Sequence, residues 1–156
     1  DLVWDDELAS QSQAWADMCL MVPDTGTMEH SPSCADVSDD DGAFAYCRGT
    51  SSPSTFTDYD GENIAISYGT ASGAVSLWYD EYTVPGYDFS EDGGASGTPT
   101  GNSDTGHFTQ VVWAATTKVG CGMKTDCDFT SMSGCADSAD WGLLAWVCHY
   151  NRAGNW

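Results

Sequence analysis

The chain has 156 residues, 41% of them hydrophobic, with 7 Trp and 7 Tyr. That is enough for one domain to bury most of its apolar surface without a partner. Four basic residues stand against 24 acidic ones, a net charge of −20, and such a surface repels nucleic-acid phosphates and anionic membranes at long range. No apolar run reaches the ~18 residues that a membrane-spanning helix needs.

In chain order, residues 5–21 read as an amphipathic helix. Leu8, Trp15 and Cys19, with Ala9, Ala16 and Met18, fall on its inward face. Asp5, Asp6 and Glu7 sit favourably on its first turn, and Pro23 ends it. About thirty-five residues rich in Asp, Ser, Thr, Pro and Gly follow. They include His30-Ser31 and the acidic run from Asp36 to Asp41, which lacks the downstream Glu of a calcium loop. Gly61–Ser67 reads as a helical turn entering the core, with Glu62 either a cap or a site residue. Ala71–Tyr82 reads as a helix whose Val75, Trp78, Tyr79 and Tyr82 repeat at three and four, with Glu81 at the edge of that stripe. Pro85–Thr105 is a long loop opening with Tyr87 and Phe89.

The stretch from Gly106 to Trp113 begins another helix, capped by Asp104 or Thr105. Phe108, Val111 and Val112 face inward, while His107 and Gln110 share the other edge. On a first turn, the helix dipole favours a neutral imidazole, suited to metal ligation or general-base work. A histidine that only bonds locally fits the same spacing. Lys118–Lys124 alternates as a strand, and Trp141–Tyr150 is a strand apolar on both faces, so layers cover it on both sides.

Seven cysteines (Cys19, Cys34, Cys47, Cys121, Cys127, Cys135 and Cys148) without a Cys-x2-Cys pair indicate a secreted disulfide framework rather than structural zinc. The odd count leaves one thiol over.

Four segments occur in an order and spacing that resemble the CAP superfamily of cysteine-rich secretory, antigen 5 and pathogenesis-related class-one proteins. They are Gly61-Glu62-Asn63-Ile64-Ala65, Trp78-Tyr79-Asp80-Glu81, the Gly106–Trp113 stretch and Cys148-His149-Tyr150 through Gly154-Asn155-Trp156. The resemblance spans nearly the whole chain. It implies an α+β fold, a three-layer α-β-α sandwich with a central antiparallel sheet, as one extracellular domain over residues 1–156. The family's first helix has no counterpart here, as expected for a piece of a longer chain or an assembly. The resemblance also implies a Cys121–Cys148 disulfide. Cys19–Cys127 and Cys34–Cys47 are the further pairs it offers, leaving Cys135 for an intermolecular link.

The same resemblance gathers His30, Glu62, Glu81 and His107 around a cavity. A divalent cation, zinc first, would be held there through His30 and His107. It also gives Tyr87 and Phe89 to a loop linked to sterol binding. Three roles follow. One is a secreted module for a sterol, lipid or other small apolar ligand. The second is a structural subunit bound to other extracellular proteins, with a vestigial cavity. The third, a hydrolase, has no nucleophile signature in the sequence.

Overall fold

The computed structural model describes residues 1–18, 28, 30–31, 61–67, 69–87, 105–125 and 144–151. Four strands, β1 (Val3–Trp4), β2 (Gly61–Ser67), β3 (Lys118–Thr125) and β4 (Leu144–Asn151), form one sheet in the order β1-β3-β4-β2. The β3–β4 and β4–β2 pairs are antiparallel, whereas β1 runs parallel to β3. The expected antiparallel sheet is therefore mixed, because its two-residue edge strand leads straight into a helix instead of turning back as a hairpin. Helix α1 (Asp6–Met18) packs on β3 and β4, while α2 (Ala71–Asp80) and α3 (Gly106–Val112) pack on each other and on β2. The fold is α+β, with helices on both faces of the sheet.

Glycine sets the closeness of the α1 layer. A Cβ on Gly120 would stand 2.1 Å from the Ala9 backbone nitrogen, and one on Gly122 would stand 2.2 Å from that of Gln13. The helix backbone thus rests directly on β3. Ser12 fixes the contact by donating to the Gly120 carbonyl at 2.8 Å and accepting the His149 amide at 3.1 Å. Asp5 caps the helix, accepting the amides of Glu7 and Leu8, and also binds Lys118 at 2.7 Å. That lysine, followed by the Leu8 amide, holds the Asp5 carboxyl below its ordinary range. Leu8, Trp15 and Ala16 are buried as expected, but so are Gln11 and Ser12, which the apolar pattern leaves out.

On the opposite face, Ala65, Ala74, Trp78, Cys148 and Tyr150 form a buried cluster flanked by Val111, Val119, Cys121 and Trp146. Cys121 and Cys148 lie directly opposite each other in the β3–β4 register and are joined by a disulfide. The other five cysteines, and with them the Cys19–Cys127 and Cys34–Cys47 pairs and Cys135, lie outside the described residues.

Three local expectations need correction. Gly61–Ser67 is a strand, not a helical turn: Gly61, Asn63 and Ala65 are buried in alternation, and each residue pairs with β4. A seven-residue, partly apolar run is ambiguous by period, and the partner strand decides it. In α2 only Ala74 and Trp78 are buried, while Val75 and Tyr79, and Tyr82 just beyond its end, are 44%, 45% and 39% exposed. In α3 the buried residues are Phe108, Thr109 and Gln110, and Val112 is half exposed. Both short helices lean on the sheet through a narrow strip, so a wide apolar face cannot be covered.

Two glycine substitutions have opposite expected effects. Gly120→Ala drives a methyl into the α1 backbone and destabilises by at least the ~1–3 kcal/mol of core overpacking. Gly73→Ala, whose Cβ would meet only Thr70 Oγ1 at 3.8 Å, gains about 0.5–1 kcal/mol of helix propensity. Urea denaturation midpoints of the two variants, one lowered and one raised, check the assignment.

Candidate functional site

Strand β2 begins with Gly61, Glu62 and Asn63, and consecutive strand residues leave by opposite faces. Glu62 lies opposite His149 in the register, and Asn63 lies opposite Cys148. Glu62 therefore projects on the α1 side and Asn63 towards α2 and α3.

On the α1 side, both carboxylate oxygens of Glu62 are engaged. Oε1 accepts from His30 Nδ1 at 2.6 Å and from the Ser31 amide at 3.1 Å. Oε2 accepts from Nε2 of His149 at 2.8 Å, and Ser31 Oγ lies 3.4 Å from the same nitrogen. Burial by itself would raise the Glu62 carboxyl. The hydrogen bonds from His149 and His30, the His149 charge and the Ser31 side chain together outweigh it and hold the carboxyl at about 2. An ionised carboxylate only accepts, so the protons sit on His30 Nδ1 and His149 Nε2. The His149 side chain is fully buried, whereas that of His30 is 65% exposed. Its bond to Glu62 raises the His30 imidazole above its ordinary value, against some desolvation.

On the other side, Glu81 closes α2 as its C-cap residue and reaches the start of α3. Its Oε1 accepts from His107 Nδ1 at 2.6 Å and its Oε2 accepts the Phe108 amide at 3.0 Å. Thr105 occupies the N-cap position of α3 without a side-chain cap bond. A carboxylate from the neighbouring helix takes that place, where the dipole favours negative charge. Asn63 Nδ2 donates to the His107 carbonyl and to Tyr150 Oη, both at 3.2 Å, tying α3 to the sheet. Burial pushes the Tyr150 phenol up to about 12, only partly opposed by Asn63. Trp78 stacks near His107, with ring centroids 6.3 Å apart, and donates Nε1–H to the Ile64 carbonyl of the edge strand at 3.1 Å.

The four expected cavity residues thus form two His–Glu pairs, His30–Glu62 and Glu81–His107. The first is carried by Glu62 at the start of β2 and the second joins the end of α2 to the start of α3 on the other face, and no hydrogen bond or ion pair joins one pair to the other among the described residues. No group of three or more His, Cys, Asp or Glu side chains among the described residues is arranged to hold a metal ion. Sequence reasoning missed His149 as a site residue, although it lies inside the Cys148–Trp156 segment. Only the β2–β4 register reveals it as the partner of Glu62.

An aromatic cluster adjoins the Glu81–His107 pair. The Phe108 ring lies 5.6, 5.7 and 5.4 Å from those of Tyr79, Tyr82 and Tyr87. Tyr87 is therefore part of this cluster, while Phe89 lies outside the described residues.

The family model of the cysteine-rich secretory protein family (CAP) matches residues 1–150. Protein PRY2 of Saccharomyces cerevisiae is 41% identical over 95 residues, covering 61% of this chain and 22% of that protein. Venom allergen 5 of Rhynchium brunneum is 32% identical, covering 100% of this chain and 54% of the allergen. The chain thus spans little more than half of this full-coverage relative. The solved structure of BmVAL-1 superposes with a TM-score of 0.55 at 23% identity, covering 99% of this chain and 60% of that one, a likeness of fold.

The sign of the pH response follows from the Glu62 pair. A depressed carboxyl stabilises the fold above its ordinary 4.5, and that contribution is lost as pH falls towards about 2. The raised His30 contributes in the other direction, fully below 6.5 and lost as pH rises through its folded value. Glu62→Gln should therefore cost most between these limits, about 3–5 kcal/mol for a broken buried pair. The gap to wild type should close as acid approaches pH 2, measured by urea denaturation across pH.

Proposed function

The chain belongs to the cysteine-rich secretory protein (CAP) family, and on that premise we propose that it is an extracellular binding module for a sterol or similar small apolar lipid. The family is one of secreted proteins, and the chain is extracellular. The observation that carries the ligand class is the ring cluster around Phe108. Three tyrosines surround one buried phenylalanine, and Tyr79 and Tyr82 remain 45% and 39% exposed. The wide turn Tyr82–Gly86 adds Val84, 78% exposed, beside them. Flat apolar faces with hydroxyls at their rims suit a rigid, mostly apolar ligand carrying one polar group. An aromatic cap that merely covers the α2–α3 contact would bury these rings instead of presenting them.

The His–Glu pairs supply the polar side of this reading. In each pair the carboxylate takes Nδ1, the arrangement that orients a metal-binding histidine and leaves Nε2 as the donor atom. Because both carboxylates are engaged by imidazoles, a divalent cation such as zinc would be offered His30 Nε2 on one face and His107 Nε2 on the other, with water completing each shell. A site with one imidazole is weak. When bound, the cation would supply positive charge for a polar or anionic ligand group.

Two measurements test this. Labelled cholesterol should bind the wild-type chain, and the double variant Tyr82→Ala with Tyr87→Ala should bind about tenfold more weakly, from two lost aromatic contacts. Equal binding by the two proteins would remove the sterol reading. In calorimetric zinc titrations, His30→Ala and His107→Ala should each remove part of the specific heat signal, and the two together all of it. The double histidine variant gives the background from the 24 acidic residues. A wild-type signal no larger than that background would discard the cation.

A further inference from the structure

All 3 histidines of the chain are bonded to glutamate, and two of them share one: Glu62 lies between His30 and His149. We infer that His149 is the positioning residue of the site. By fixing the second oxygen of Glu62, it holds the His30 ring with Nδ1–H turned inward and Nε2 outward.

The His149 backbone is fixed by its place opposite Gly120 and Glu62 in the two registers, and by its amide bond to Ser12. Close seating of α1 over Gly120 leaves its imidazole wholly buried. From there Nε2 reaches Glu62 Oε2 at 2.8 Å. The carboxylate is thereby pinned at one oxygen and presents the other to His30 Nδ1 and the Ser31 amide. Without His149, a carboxylate on an edge strand can rotate about its terminal torsion, which is broad and weakly restrained. The His30 side chain is 65% exposed, and among the described residues it is the bond to Glu62 that orients its ring. The Glu81–His107 pair obtains the same result differently, since its second oxygen is fixed by the Phe108 amide. A buried imidazole on one face thus does what a helix amide does on the other.

The inference rests on the binding reading only for the use made of His30 Nε2; the ring geometry itself is tested without ligand. Nitrogen-15 NMR of the full chain has three histidine side chains to resolve. At alkaline pH, wild-type His30 should show the Nδ1–H tautomer, and His149 a slowly exchanging Nε2–H. His149→Leu, which keeps bulk but no donor, should convert His30 to mixed tautomers while leaving His107 unchanged. His149→Gln, which offers an amide N–H at similar reach, should restore His30. Zinc chloride titrated into the same samples should bind about 10–100-fold more weakly to His149→Leu, the usual cost of removing an outer-shell partner. A wild type indifferent to zinc overturns the cation reading but leaves the tautomer result standing. Retention of Nδ1–H by His30 in His149→Leu, or joint movement of His30 and His107, overturns the inference. Should the Leu variant not fold, a wild-type spectrum without a protected His149 Nε2–H overturns it as well.

Discussion

Strand β2 decides where the polar groups of this domain go, because neighbouring residues on a strand must leave by opposite faces. Glu62 turns to the α1 layer and meets His30 and His149, while Asn63 turns to the α2–α3 layer and meets His107 and Tyr150. A shift of one residue in the β2–β4 pairing would exchange these sets and bury the Glu62 charge among Ala74, Trp78 and Tyr150. The register is held by buried groups on both sides, so site and core are specified together.

The two faces solve one problem with different materials. A carboxylate near the interior needs donors for both oxygens. Glu81 draws one donor from an imidazole and one from the first turn of α3, where the backbone amides lack helical partners. Glu62 has no helix end within its bonded set and draws on a second imidazole and the Ser31 amide. In a chain with 24 acidic and 4 basic residues, histidine supplies most of the donors that hold these two carboxylates. Both lysines are engaged elsewhere, pairing β3 with α1 through Asp5 and Asp17.

The aromatic side of the site depends on how little of α2 and α3 reaches the sheet. Trp78 and Phe108 are anchored, Trp78 through its bond to the edge-strand carbonyl. Tyr79, beside Trp78 in the chain, and Tyr82, one turn on, are carried outward with their rings against Phe108. Exposed apolar rings beside a His–Glu pair therefore follow from short helices on an edge strand, and the same geometry makes them available to a ligand.

Composition, cysteine usage and four spaced segments were enough to determine the class of the fold, the helices α1, α2 and α3, the strands β3 and β4 and the Cys121–Cys148 bond, all local or carried by fixed motifs. They named His30, Glu62, Glu81 and His107 as one cavity set, and only the packed structure divides these into two His–Glu pairs. The strand nature of Gly61–Ser67 was not legible, because seven residues of mixed polarity acquire a period only when a partner strand selects it. His149 was hidden for the same reason, since a histidine 87 positions from Glu62 becomes its neighbour only through that pairing. Nor could helical spacing tell that Val75, Tyr79, Tyr82 and Val112 face outward while Gln110 is buried with its amide on Thr116. Burial is a property of what lies opposite, and what lies opposite is settled by the packed layers, not by the order of residues along the chain.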